Sequence, residues 1–169
     1  DSIARIFDFL GHKVIRDPHF GDWGFQMGLV ISAIAAEQPD LPYFDPAATE
    51  YPAESPVTLD DLQRIYPEAD ARAKADPEFA EQARQATVRL QQGDPGYFAL
   101  WRHMKTESER SQRQDFGALG VEFDLWYGES DVHDRLAPLV ERLVANGTAV
   151  ESEGALVVEI AEPDDKREW

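Results

Sequence analysis

Gly21-Asp22-Trp23-Gly24 stands between the apolar run Val14-Ile15-Arg16 and an amphipathic run over residues 25–36. A short apolar run bounded by glycine, followed at once by helical periodicity, reads as a strand, a tight turn and a helix start. Open α/β sheets place their chemistry at such turns. The flanking glycines let the backbone turn sharply beside a bulky ring, and Asp22 offers a carboxylate at a helix N-terminus. Two readings stand: a functional edge, or a well-capped helix with a buried tryptophan.

Upstream, Ile3, Ile6, Phe7 and Leu10 recur at helical spacing, and Gly11 closes the pattern. Residues 13–17 form the strand, and Pro18, which has no amide hydrogen, ends its pairing. His19 follows, lining a pocket or serving the structure. Downstream, residues 25–37 form a helix with Met27, Val30, Ile31 and Ile34 on one side, set to pack against a sheet. Gln26, in the first turn, faces a ligand or solvent. Pro39, Pro42, Pro46, Pro52 and Pro56 then rule out continuous helix or strand, and Tyr43, Phe44 and Tyr51 pin this connector to the body.

Thr58 with Asp61 caps the next helix, and Asp76-Pro77-Glu78 starts another with Phe79, Ala83, Ala86, Val88 and Leu90 as its stripe. Gly93-Asp94-Pro95 starts a third that runs to about residue 119, with Trp101 and Phe116 read as core rather than a binding platform, and Arg102, Lys105, Arg110 and Arg113 as a solvated face rather than a nucleic-acid-facing cluster. Residues 121–127 are rich in strand formers and lead into Gly128-Glu129-Ser130, where Ser130 caps a helix over residues 131–146. Glu129 is either a cap on neighbouring amides or a substrate-side carboxylate. Residues 148–151 and 155–160 flank Glu153-Gly154 as a hairpin, and the polar tail, residues 162–169, has no core pattern.

A chain of 169 residues with 43% hydrophobic and 11% aromatic content fits one domain with an ordinary core. The absence of cysteine excludes disulfides and thiolate metal sites. No run approaches the ~18 apolar residues of a membrane helix. No signal-peptide pattern opens the chain, so a cytoplasmic setting without membrane contact is the expectation. The net charge of −17 argues against a principal nucleic-acid grip, because such binding draws on Lys and Arg. Between Arg16 and Arg64 there is no Lys or Arg, against nine acids. Histidines at 12, 19, 103 and 133 lack paired metal spacing, which disfavours a metal-dependent hydrolase and leaves no metal ligands to name.

The phrase from His12 to Arg16 and then His19-Phe-Gly-Asp-Trp-Gly-Phe-Gln-Met-Gly28 resembles the arginyl-tRNA synthetases, a class I family. Asp76-Pro-Glu-Phe-Ala-Glu, Leu90-Gln-Gln-Gly-Asp-Pro95, Leu119-Gly-Val-Glu-Phe-Asp124, Tyr127-Gly-Glu-Ser130 and Val150-Glu-Ser-Glu-Gly-Ala-Leu-Val157 are similar to that family in the same order. The resemblance implies an α/β fold: part of a Rossmann-type parallel sheet with a large, mainly helical insertion and a β-hairpin near the C-terminus. It implies one partial catalytic domain over 1–169. Residues 1–36 and 119–146 are nucleotide-binding-fold elements, 37–118 the connector and helical insertion, 147–161 the hairpin and 162–169 the tail. The chain then opens after the motif that holds ATP and stops before the second phosphate-binding loop, as a piece of a longer protein.

The implied function is that of arginine-tRNA ligase, which forms arginyl-tRNA from arginine, ATP with Mg and tRNA(Arg) through an arginyl-adenylate. The piece alone is expected to be inactive, with no catalytic residue of its own and no cofactor bound. Asp17, His19, Asp22, Trp23 and Gln26 are the expected substrate-binding residues, since a guanidinium needs carboxylates or carbonyls arranged for its donors. Pro18 replaces the family's usual Asn and inherits no role. Self-association through an exposed strand edge at residues 13–17 is a further expectation, unless the 39–56 connector or the tail covers it. The alternative function is a non-catalytic acidic helical module that binds a protein partner.

Overall fold

The computed structural model describes residues 1–160. In chain order these form α1 (Ser2–Phe9), α2 (Phe25–Glu37), a 3₁₀ turn (Pro42–Phe44), α3 (Leu59–Ala75), α4 (Pro77–Gln91) and α5 (Pro95–Ala118). A second 3₁₀ turn (Glu129–Asp131), α6 (His133–Ala145), β1 (Ala149–Ser152) and β2 (Ala155–Val158) follow. The chain divides into two compact units, Asp1–Ser130 and a second that begins at Asp131.

Three helices of the first unit, α3, α4 and α5, begin where a side chain satisfies their first amides. The Thr58 hydroxyl accepts from the Asp61 N–H at 3.2 Å, while the Asp61 carboxylate accepts from the Thr58 N–H at 2.8 Å, a reciprocal capping box for α3. Asp76 accepts from the N–H groups of Glu78 and Phe79, and Asp94 from those of Gly96 and Tyr97, each with proline at the start of its helix.

α2 is the centre of this unit. Gly28, Leu29, Val30, Ile31 and Ile34 are all buried, so the apolar surface covers more than one stripe. Its neighbours are α4, α3 and α5 and not the expected sheet. A Cβ at Gly28 would lie 2.1 Å from the Ala83 carbonyl and from Thr87 Oγ1, so only glycine permits this approach of α2 to α4. Ile31, Ile34, Leu90, Leu100, Trp101 and Met104 build the core, and Tyr43 closes one end, stacked on Tyr51 at 5.6 Å. Phe79, Ala83, Ala86 and Leu90 are buried as their spacing predicts, whereas Val88 is exposed.

The two expected strands at 13–17 and 121–127 do not form. Their segments run side by side through one parallel bridge, Phe20 with Gly128, and through Asp124 and Leu125 N–H groups donating to the Arg16 carbonyl at 3.0 Å. Side chains occupy other ladder positions: Asp124 accepts from the Arg16 N–H at 2.8 Å, and Asp17 from the Tyr127 N–H at 3.0 Å. An amide held by a carboxylate is not available to a regular ladder. Among the described residues, the only sheet is the two-stranded hairpin, so the architecture is mainly helical and the Rossmann-type sheet is not seen. Phe116 leaves the main core to pack on Phe123 at 4.8 Å, and Trp126 joins this satellite cluster.

In the second unit, β1 and β2 pair antiparallel from Ala149 with Val158 to Ser152 with Ala155. Glu153 and Gly154 have φ of 50° and 81°, the two positive values that a two-residue hairpin turn requires. α6 starts at His133, later than expected, without a side-chain cap, because the Ser130 hydroxyl is engaged by Asp22. The expected tail at 162–169 lies outside the described residues.

Candidate functional site

The Gly21-Asp22-Trp23-Gly24 turn is fixed from three directions. Along its N-terminal side, the Phe20 N–H donates to the Tyr127 carbonyl at 3.0 Å and the Glu129 N–H to the Phe20 carbonyl at 2.9 Å. From α5, Trp101 Nε1 donates to the Asp22 carbonyl at 2.7 Å, and from α4 the Gln91 amide donates to the Trp23 carbonyl at 2.9 Å. The Trp23 ring is buried, edge-on to Trp101 at 4.9 Å and to Phe98 at 6.4 Å. Such aromatic contacts combine large apolar burial with defined geometry.

Asp22 is the one buried charged side chain among the described residues, 8% exposed. It does not cap α2, whose N-cap position is Gly24 without a side-chain bond. Its Oδ1 accepts from the Ser130 N–H at 2.9 Å. Its Oδ2 accepts from the Ser130 hydroxyl at 2.6 Å and from Lys105 Nζ at 2.7 Å. Lys105 also donates to Ser130 Oγ at 2.7 Å, closing a Lys–Asp–Ser triangle. A Cβ at Gly128 would stand 2.4 Å from Asp22 Oδ1, so this glycine makes room for the carboxylate. Buried charges persist when paired and hydrogen-bonded, and both conditions are met here.

The five expected substrate-binding residues occupy three environments. Trp23 is core. Asp22 and Gln26 line a cavity of about 590 Å³ between α2, α3 and α5, walled by Met27, Leu62, Tyr66 and Met104 with Glu109 at its edge. Asp17 and His19 do not line this cavity. Asp17 holds the Tyr127 N–H, and the half-exposed His19 ring approaches Asp17 Oδ2 at 3.6 Å. His19 adopts φ of 49°, a left-handed conformation that His tolerates better than most side chains. Gln26 folds back so that Nε2 donates to the Gly21 carbonyl at 2.9 Å. Neither Gly21 nor Gly24 has a positive φ; a Cβ at either position would crowd the Gln26 side chain, at 3.1 and 2.7 Å, so these glycines leave space for the glutamine.

Lys105 and Ser130 were not expected in this site. Their nearest sequence signal is the spacing from Trp101 to Lys105, one helical turn, which sets the lysine on the face that carries the buried ring. The basic face of α5 is therefore not simply solvated: Lys105 turns inward, Arg110 pairs with Glu107, and Arg113 pairs with Glu109 while lying 3.8 Å over the Trp126 ring. Among the described residues, no group of three or more His, Asp or Glu side chains is placed to hold a metal ion. No described helix is long and apolar enough to cross a membrane.

The family model described as tRNA synthetases class I (R), catalytic domain, matches residues 1–166. The chain is 54% identical over 169 residues to a protein of Maricaulis maris named arginine-tRNA ligase, covering 99% of this chain and 29% of the relative. It is 49% identical over 169 residues to one of that name from Hyphomonas neptunium, covering 99% and 29%, and 47% over 166 residues to one from Alkaliphilus oremlandii, covering 98% and 28%. Among solved structures, arginyl-tRNA synthetase from Plasmodium falciparum superposes with a TM-score of 0.71 at 23% identity, covering 99% of this chain and 26% of that one, a likeness of fold. The chain thus spans about 29% of the length of its relatives, and with a catalytic-domain model matched from residue 1 to residue 166 it belongs to the class I tRNA synthetase (R) family.

Proposed function

We propose that this chain is a portion of the catalytic domain of an arginine-tRNA ligase, whose full protein acts in the cytoplasm on arginine, ATP with Mg²⁺ and tRNA(Arg). The observation that carries this reading is the end-to-end match, 54% identical across 99% of the chain, to a protein bearing that name. In the reaction the arginine carboxylate attacks the α-phosphate of ATP and pyrophosphate leaves; a tRNA hydroxyl then attacks the arginyl carbonyl of the adenylate, forming the ester as AMP leaves. Catalysis of this kind rests on positioning and on stabilising phosphate charge. Residues 13–17 and 121–127 are, in this reading, neighbouring parallel strands of a Rossmann-type sheet completed by other parts of the protein. Residues 1–36 and 119–146 belong to that nucleotide-binding fold, 37–118 to its insertion and 147–161 to its hairpin.

Asp17, His19 and Gln26 face the amino-acid end of the substrate from the turn, and Asp22 and Trp23 serve the same site by holding that turn. The 169 residues by themselves form no arginyl-adenylate. Arginine-dependent ATP–pyrophosphate exchange tests both statements. The isolated chain is expected to show background exchange only. The same chain, replacing its counterpart within the Maricaulis maris relative, is expected to sustain exchange. A chimera that folds but does not exchange favours the acidic interaction module instead.

A further inference from the structure

We propose that Lys105 is a positioning residue for the substrate-facing edge, acting through Asp22; the inference rests on the reading of the chain as part of an arginine-tRNA ligase. Lys105 projects from α5 one turn beyond Trp101 and next to Met104, both buried, so its base is anchored in the core. Its ammonium meets two oxygens at once, Asp22 Oδ2 and Ser130 Oγ, each at 2.7 Å, and lies 5.3 Å from the Trp101 ring centroid. A compact ammonium can serve two acceptors that converge on one point, which a planar guanidinium fork does less well. The Lys105 and Asp22 side chains are 20% and 10% exposed, so the ammonium lies against the carboxylate with little water between to screen the pair.

Asp22 divides its oxygens between two tasks. Oδ2 receives the ammonium and the Ser130 hydroxyl, while Oδ1 receives the Ser130 main-chain N–H. Fixing Oδ2 therefore fixes the direction of Oδ1, and Oδ1 draws residue 130 against the turn. Phe20 is bonded to the same segment through Tyr127 and Glu129, and Asp17 through Tyr127. Neither the 17–22 segment nor the 127–128 segment lies in a helix or strand, so these bonds set their mutual placement. His19 and Asp17 ride on this pair of segments. Loss of the Lys105 ammonium releases the carboxylate to rotate, and both side chains shift with it.

The test uses the Maricaulis maris chimera, with steady-state pyrophosphate exchange at varied arginine and a melting curve for each variant. Lys105→Met is expected to raise KM for arginine by about tenfold with kcat within about threefold, the pattern of lost substrate placement. Lys105→Arg recovers part of that loss. Ser130→Ala alone raises KM about threefold, and added to Lys105→Met it has no further effect, because both act through one carboxylate. Lys74→Gln, which removes an exposed pair with Asp70, changes nothing. A folded Lys105→Met chimera with unchanged KM overturns the proposal, as does a loss that follows melting temperature alike in the Met and Arg variants. Should Lys105→Met fail to fold, an unchanged KM in Ser130→Ala overturns it. A chimera without substitutions that lacks exchange removes the underlying functional reading, and this inference with it.

Discussion

Removing the Asp22 carboxylate takes a charged partner from the largely shielded Lys105 ammonium, and takes from the Ser130 N–H and hydroxyl the acceptor that both use. Asp22→Ala is therefore expected to destabilise the first unit by about 2 to 4 kcal/mol, short of a fully buried pair because Lys105 keeps some contact with solvent. A simple helix cap in its place contributes about 1 kcal/mol, so chemical denaturation separates the two roles. Trp23→Ala, which opens a hole against Trp101 and Phe98, is expected to cost about 3 to 5 kcal/mol in the same melts. The burial of Trp23 was legible because a bulky ring between two glycines beside an apolar helix has few other places to go. The role of Asp22 was not: its partners lie 83 and 108 positions away, and local spacing points only to the nearest helix start.

At the scale of elements, start signals are strictly local, and α2, α4 and α5 begin at the residues their sequences mark. Asp94 shows what such a signal contributes. Partial burial pushes its carboxyl up, but hydrogen bonds from the Tyr97 N–H and Arg89 outweigh that and hold it below the ordinary value of 3.8. A carboxyl lowered on folding stabilises the fold above its unfolded value, and that contribution is lost as pH falls through the folded value. Asp94→Ala is thus expected to lower stability by about 1 kcal/mol at pH 7, and the gap to the parent should close as pH drops below 3.8. Urea melts along a pH series check this; a gap that stays constant into acid contradicts it. Strands are different, since a ladder needs a partner that local sequence does not contain. Residues 13–17 have strand composition, yet the Asp17 and Asp124 carboxylates take amides that a ladder needs, and a single bridge remains. The hairpin was legible because Glu153-Gly154 brings its own partner strand within two residues.

For the molecule as a whole, the segment at 12–17 is bounded by α1 and by Val121 and Phe123, and Ile15 stays 60% exposed. The 39–56 connector, one expected cover for this edge, packs instead on α5 and the core through Tyr43. The isolated chain is therefore expected to self-associate through 13–17, seen as a concentration-dependent sedimentation coefficient that Ile15→Lys abolishes. Val14→Lys is the poorer control, because Val14 is half-buried and its replacement disturbs the fold as well as the edge. A chain that sediments as a monomer at every concentration shows that the edge does not associate. We propose that these residues serve as part of an arginine-tRNA ligase. Growth measures it most directly, in cells depleted of their own arginine-tRNA ligase and supplied with the Maricaulis maris chimera. The chimera is expected to sustain growth and its Asp22→Ala variant to fail; a chimera that accumulates in folded form and does not sustain growth contradicts the account.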